Sequence, residues 1–428
     1  MNYSMIFFII GWVFIIEAAL MAPSALVAVL YSERSIWAFA AAIGLCLLLG
    51  VPLVRKQPAN KVFYAKEGCV TVALSWIVMS LMGALPFVFS GVIPSIVDAM
   101  FETVSGFTTT GASILKDVEV LPRCMLFWRS FTHWIGGMGV LVFLLCLLPM
   151  SGGGYSMNLM KAESPGPSVS KLVPKVRSTA KLLYGLYVAL SLLELALLLL
   201  GSMPLFDALC TTFGTAGTGG FGIKNSSIGE YSAYIQSIVT IFMILFGINF
   251  NVYFLLYMRK PKEALRCEEA GWYLAIIAVS TLIITVFIRN SFPDLVTAFR
   301  HAAFQFFSLM TTTGFASADS NVWPPFAVIL LMFGSIVCAC AGSTTGGMKV
   351  NRLVLAGKMI RTQLQRQQHP NAVIRIKLDG MLQEDGVIHG VMIFIVTYML
   401  AILSGTVFSA LCGVDLLTGF SGTVACLG

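Results

Sequence analysis

A segment that crosses a bilayer must satisfy its backbone polar groups internally, and this sequence is built mostly of segments apolar enough to do so. Long apolar runs lie near 5–30, 37–54, 69–89, 125–150, 182–202, 232–257, 272–289, 324–348 and 388–411. Each reaches the roughly 18 residues that mark a spanning helix. Four shorter apolar segments, near 95–107, 204–215, 294–310 and 415–427, fall short of the roughly 20 residues a crossing needs. Only 11% of the 428 residues are charged, against about a quarter in a soluble domain, so the solvent is lipid. The first run has neither a basic leader nor a small-residue cleavage site and reads as a retained helix.

The net charge of +7 is confined to short loops between runs. One holds Arg55, Lys56, Lys61 and Lys66, a second Lys161, Lys171, Lys175, Arg177 and Lys181, a third Arg259, Lys260, Lys262 and Arg266. The longest carries Lys349, Arg352, Lys358, Arg361, Arg366, Arg375 and Lys377. This is the positive-inside pattern of a polytopic protein and not a nucleic-acid surface. It makes these loops cytoplasmic and, two spans earlier, the N-terminus cytoplasmic too. Ten cysteines show no metal-site spacing; Cys46, Cys146 and Cys412 sit in apolar runs, and Cys338 and Cys340 are expected within a helix.

Polar loops recur at matching places. Thr108-Thr109-Thr110-Gly111 returns as Thr311-Thr312-Thr313-Gly314, and Ala216-Gly217-Thr218-Gly219 is a looser copy. Gly111 follows Phe101-Glu102 at the distance at which Gly314 follows Phe304-Gln305. Each copy stands in the order helix, short segment, polar loop, helix, beginning and ending on the basic side, so the repeats are parallel. The resulting division is two N-terminal helices over 1–66, repeats over 67–160, 161–266 and 267–366, and an incomplete fourth over 367–428.

Helix-start signals at Pro94-Ser95, Pro204 and Pro293-Asp294 make the short segments half-helices entering from the non-basic side. Their C-termini would stop near mid-membrane, where the negative end of the helix dipole favours a cation. Glycine lets such a loop take positive φ and turn carbonyls toward an axis, where rings of them replace an ion's water shell. The loops contain no Asp or Glu, which suits a monovalent ion better than Ca²⁺ or Mg²⁺. A single copy would fit an ordinary helix C-cap equally well; three copies at equivalent positions favour the walls of one ion pore.

The text around these loops resembles the Trk/Ktr/HKT superfamily of potassium transporters, and within it the bacterial TrkH branch. The resemblance rests on 105–112 (SGFTTTGA), 128–139 (WRSFTHWIGGMG), 162–166 (AESPG) and 341–349 (AGSTTGGMK), and on the two extra leading helices. It implies an all-α polytopic membrane protein with four parallel M1–pore helix–M2 repeats around a pseudo-fourfold pore. It also implies a homodimer in the bacterial plasma (inner) membrane and a cytoplasmic nucleotide-binding partner ring of the TrkA type, with nucleotide on that partner. A glycine in every filter loop goes with preference for K⁺, the transported ion, and Gly111, Gly219 and Gly314 meet that pattern. Carrying the first repeat's register onto the fourth pairs Asp98 with Thr418 and places the partner of Gly111 beyond Gly428. The fourth loop and last helix are therefore expected to belong to a longer chain.

Gly342-Ser343-Thr344-Thr345-Gly346-Gly347 interrupts the run at 324–348, as glycine pairs and hydroxyl runs do where helices kink. It reads either as a loop blocking the pore from the cytoplasmic side, which the resemblance favours, or as a frayed helix end. Lys349 follows, acting on the ion path or anchoring the helix. Glu102 is expected to brace the first loop through backbone amides, and Glu17 and Glu194 to make buried hydrogen bonds. His133 reads as structural rather than a proton relay, and Asp98 and Asp207 as caps and dipole partners that weakly attract cations at the mouth. The basic loop 349–377 suits lipid headgroups or a docking surface for the partner ring. The leading function is gated potassium uptake, with a proton- or sodium-coupled symporter as the alternative. An enzyme would need a His, Cys or carboxylate constellation that the loops lack.

Overall fold

The computed structural model describes residues 1–56, 58, 64–137, 139, 176–369 and 375–428. The expected basic loop at Lys161–Lys175, the AESPG segment at 162–166 and the run after Gly139 lie outside the described residues. Two compact units divide the chain, Met1–Ser227 and Ile228–Gly428.

The first unit opens with α1 (Tyr3–Leu30) and α2 (Ile36–Arg55), an antiparallel pair joined by a turn at Tyr31–Ser35. Apolar on all sides, α1 is also the most enclosed long helix: 61% of its most apolar window is buried. It packs on α2, on α3 (Ala65–Ser90) and on α5 (Arg123–Gly137), around a core that includes Phe14, Phe39, Phe87 and Trp128. Between α3 and α5 stands α4 (Ile96–Phe107), whose first turn is capped by Ser95 Oγ accepting from the Asp98 amide at 3.4 Å. The order then repeats with α6 (Val176–Leu200) and α7 (Leu205–Ala216), the latter starting at Pro204 and packing on α5. With 12 residues each, α4 and α7 reach about 18 Å, well short of a 30 Å hydrocarbon core.

The second unit begins with α8 (Ala233–Gly247), which turns by 86° into α9 (Phe250–Tyr257). The single span expected over 232–257 is thus an elbow, its break at Ile248-Asn249 capped by Asn249 Oδ1 accepting from the Asn251 amide at 2.9 Å. After the short α10 (Pro261–Leu265) come α11 (Glu268–Ile288) and α12 (Leu295–Met310), capped by Asp294. The next helix, α13 (Pro325–Val337), stops about three turns before the end of its apolar run, and α14 (Val350–Gln368) resumes beyond a loop. Cys338 and Cys340 accordingly lie past the end of α13 and not within a helix. A two-stranded hairpin, β1 (Lys377–Leu378) with β2 (Met381–Leu382), precedes α15 (Asp385–Leu411) and α16 (Leu416–Leu427). Here α11 packs on α12, α13 and α14, and α16 on α13 and α15.

Candidate ion-conduction site

Each of α4, α7 and α12 ends in a loop with one and the same backbone signature. After α4, the Thr108 amide donates to Val104 O at 2.8 Å and the Thr110 amide to Ser105 O at 3.0 Å, with φ of 58° at Thr109 and 76° at Gly111. After α7, Gly217 donates to Phe213 O at 3.1 Å and Gly219 to Gly214 O at 3.0 Å, with φ of 54° at Thr218 and 73° at Gly220. After α12, Thr311 and Thr313 donate to Phe307 O and Ser308 O, both at 2.8 Å, with φ of 53° at Thr312 and 81° at Gly314. Positive φ is costly for a β-branched residue, about 1–3 kcal/mol. Three threonines held there at one register mark a conformation the surroundings enforce.

The backbone corrects the second copy by one residue. Ala216 is the last residue of α7, Gly217 takes the place of Thr108, and Gly220 takes that of Gly111. Matching Gly-Thr-Gly letters placed the loop early; the hydrogen bonds to Phe213 and Gly214 set the register. Hydroxyls serve the loops themselves. Thr108 Oγ1 donates to Val104 O at 2.7 Å and meets Thr110 Oγ1 at 2.9 Å, while Thr311 does the same with Phe307 O and Thr313, both at 2.7 Å.

In the first unit, α5 is pressed against both loops. A β-carbon on Gly136 would fall on the Phe107 carbonyl, and one on Gly217 on the His133 carbonyl. Gly219 leaves no room against the His133 ring, which stacks on Phe221 at 4.1 Å and accepts its amide at 3.4 Å. Glu102 accepts from the Ile114 amide at 3.1 Å and from Ser113 Oγ at 3.0 Å, the bracing role expected of it. It also forms a buried ion pair with Arg129, whose guanidinium lies 3.7 Å over Phe221 and donates to Gly222 O at 3.1 Å. One ion pair therefore ties the segments that follow both loops. Farther out, Asn225 accepts from the Val118 amide at 3.0 Å and donates to Asp117 at 2.8 Å, which holds that carboxyl below its ordinary range.

In the second unit, Ser308 Oγ donates to Phe315 O at 2.6 Å and His301 Nδ1 meets Ser317 Oγ at 3.0 Å. Gln305, standing where Glu102 does, bonds the Ala318 carbonyl. The loop between α13 and α14 folds beside Thr312, whose hydroxyl accepts from the Gly346 amide at 3.4 Å. Ser343 Oγ donates to Cys340 O at 2.6 Å and meets Thr345 at 2.8 Å, and Lys349 Nζ reaches the carbonyls of Thr345 and Cys340. Two non-glycine residues with positive φ, Cys338 at 59° and Lys349 at 60°, bracket it. Gly428, capping α16 by donating to Val424 O at 3.0 Å as Thr108 does to Val104, lies against Gly346 and Thr312.

The TrkH family model, described as a cation transport protein, matches residues 36–428. The chain belongs to the TrkH family. It is 35% identical to the Trk system potassium uptake protein TrkH of Salmonella typhimurium and 34% identical to that of Escherichia coli K12. In both cases the match covers 100% of this chain and 90% of the relative. The crystal structure of the potassium transporter TrkH from Vibrio parahaemolyticus superposes with a TM-score of 0.88 at 30% identity, covering 99% of this chain and 89% of that one. TrkH-family relatives are transport proteins, so the chain is a membrane transporter and not an enzyme.

Within this TrkH-family chain, the first unit brings 108–111 and 217–220 onto α5, and the second brings 311–314, the loop 342–347 and Gly428 together. Glu17 departs from expectation: it is fully buried, and among the described residues no hydrogen bond reaches it. Glu194, also fully buried, faces Thr215, whose hydroxyl donates to Thr211 O at 2.9 Å. Sequence reasoning missed Gly220, Arg129, Asn249 and Glu269. The last accepts from the Ala341 amide at 2.5 Å, the Asn351 amide at 3.2 Å and Asn249 Nδ2 at 3.1 Å. An acidic residue in the first turn of a span reads as a dipole partner, which conceals such a role.

Proposed function

We propose that this chain carries potassium across the bacterial inner membrane through a pore walled by the carbonyls of 108–111, 217–220 and 311–314. Four parallel repeats surround it in pseudo-fourfold fashion, and α16 stands in the register of α4. The loop Gly342–Gly347, with Lys349, closes the pore from the cytoplasmic side. A cytoplasmic nucleotide-binding ring of the TrkA type controls it, the functional unit is a homodimer, and the N-terminus is cytoplasmic. The observation that carries the reading is the shared signature of left-handed threonine and left-handed glycine two residues apart, repeated after three half-helices. Alternating handedness turns successive peptide dipoles to one side, which a carbonyl-lined ion path requires. The relatives named as potassium uptake proteins favour K⁺.

Ion flux into liposomes holding the protein, with K⁺, Rb⁺, Na⁺ and Li⁺ compared without an imposed proton or sodium gradient, tests this. K⁺ and Rb⁺ should pass well ahead of Na⁺ and Li⁺. Gly314→Ser should narrow the K⁺/Na⁺ ratio while expression holds, because a side chain at a φ of 81° forces the loop to shift. Equal K⁺ and Na⁺ entry in the wild type sinks the proposal, and uptake that appears only with a proton or sodium gradient establishes the symporter.

A further inference from the structure

We infer that Glu269 is the positioning residue of the gate, pinning the 338–349 loop to the elbow between α8 and α9 so that the two move as one part. The inference rests on the reading of 342–347 as a gate. Two helices of the second unit are broken, α8/α9 at Ile248-Asn249 and α13/α14 at 338–349, and each break supplies the hydrogen bonds that the other lost. The Gly247 carbonyl accepts from the Cys340 amide at 3.1 Å, the Phe246 carbonyl from Thr344 Oγ1 at 3.4 Å, and the Gly342 carbonyl from the Phe250 amide at 3.0 Å. Glu269 closes this joint. One carboxylate oxygen takes the amides of Ala341 and Asn351, which flank the loop, and the other takes Asn249 Nδ2 from the elbow. The group is buried, so those donors have no water to turn to if it is lost.

The joint has a handle. Past the elbow, α9 leads directly to α10 and the cluster Arg259, Lys260, Lys262 and Arg266. A force applied to that basic segment reaches the loop through Asn249, Phe250 and Glu269, with no need for contact on the loop itself.

Substitutions that invert the polarity of one contact separate this role from simple packing. In Glu269→Gln the new amide faces Asn249 Nδ2, two donors against each other. Asn249 cannot flip to relieve this without breaking its cap on Asn251. Pairing it with Asn249→Asp restores one donor and one acceptor. Rb⁺ uptake into liposomes, measured without any partner protein, should rise roughly tenfold in Glu269→Ala and Glu269→Gln. It should return toward wild type in the Glu269→Gln/Asn249→Asp double variant, at thermal stability matched to the single one. Should Glu269→Ala not yield protein, the Gln variant and the double variant carry the test. A double variant as leaky as Glu269→Gln, or single variants as tight as wild type while deletion of 342–347 raises flux, overturns the role of Glu269 and leaves the gate standing. A deletion of 342–347 that changes nothing removes the gate and this inference together.

Discussion

At the scale of single residues, the loops are held by absences as much as by contacts. Alanine normally stabilises a helix by about 1 kcal/mol over glycine. Gly136 should show the opposite sign, because its β-carbon would occupy the carbonyl of Phe107, the last residue of α4 before the first loop. Gly136→Ala is expected to lower the melting temperature of detergent-extracted protein, whereas Gly357→Ala on α14, where nothing lies within 4 Å, should hold or raise it. Equal behaviour at both sites would dismiss the close packing of α5. Arg129→Ala leaves Glu102 buried and unpaired, a loss of about 3–5 kcal/mol for a broken interior ion pair. Replacing both partners at once should cost less than the sum. Much of this scale was hidden from the sequence. Glu102 was legible because it stands in a half-helix, but Arg129 reads as one polar residue in an apolar run, and its partners on 102, 221 and 222 are remote.

At the scale of elements, half-helices and their caps were legible and the breaks were legible only in part. Ser95, Pro204 and Asp294 mark three starts because capping is local chemistry. The break at 342–347 announced itself through two glycine-rich ends. The α8/α9 elbow did not: Gly247-Ile248-Asn249 lies between apolar stretches without proline, and the groups that stabilise the break are nearly a hundred residues away at Gly342 and Cys340. The second loop slipped by one for a related reason, since letters repeat less faithfully than backbone hydrogen bonds. Where α13 ends, Cys338 has φ 59° and ψ −168°, a region suited to glycine, and its sulfur sits where a β-carbon on Gly347 would fall. Cys338→Gly should therefore be tolerated or raise thermal stability, and Cys338→Val should depress yield and stability sharply. The reverse order would contradict this geometry.

At the scale of the whole molecule, burial separates the long helices. Of the most apolar window of α15, 17% is buried among the described residues, against 61% for α1, which serves as core of the first unit. Charge sets the orientation. In a background with the exposed Cys69, Cys412 and Cys426 replaced by serine, a membrane-impermeant thiol reagent added to intact spheroplasts should label Lys116→Cys. It should spare Lys262→Cys and Asn2→Cys. Labelling of Lys262→Cys from outside would invert the topology. Six long helices, α1, α2, α3, α6, α11 and α15, were legible from run length, because hydrocarbon thickness is a ruler; the elbow in 232–257, the early end of α13 and which helix faces lipid were not, because every run is apolar all round. The Glu102–Arg129 pair has a consequence for throughput. Since Glu102 and Arg129 neutralise one another, the pair adds no net charge to the ion path proposed beside the first two loops. Screening by bulk electrolyte weakens exposed charges over about 10 Å and hardly touches enclosed dipoles. On the proposed reading, conductance at a fixed potassium activity should vary little as an inert, impermeant salt is added.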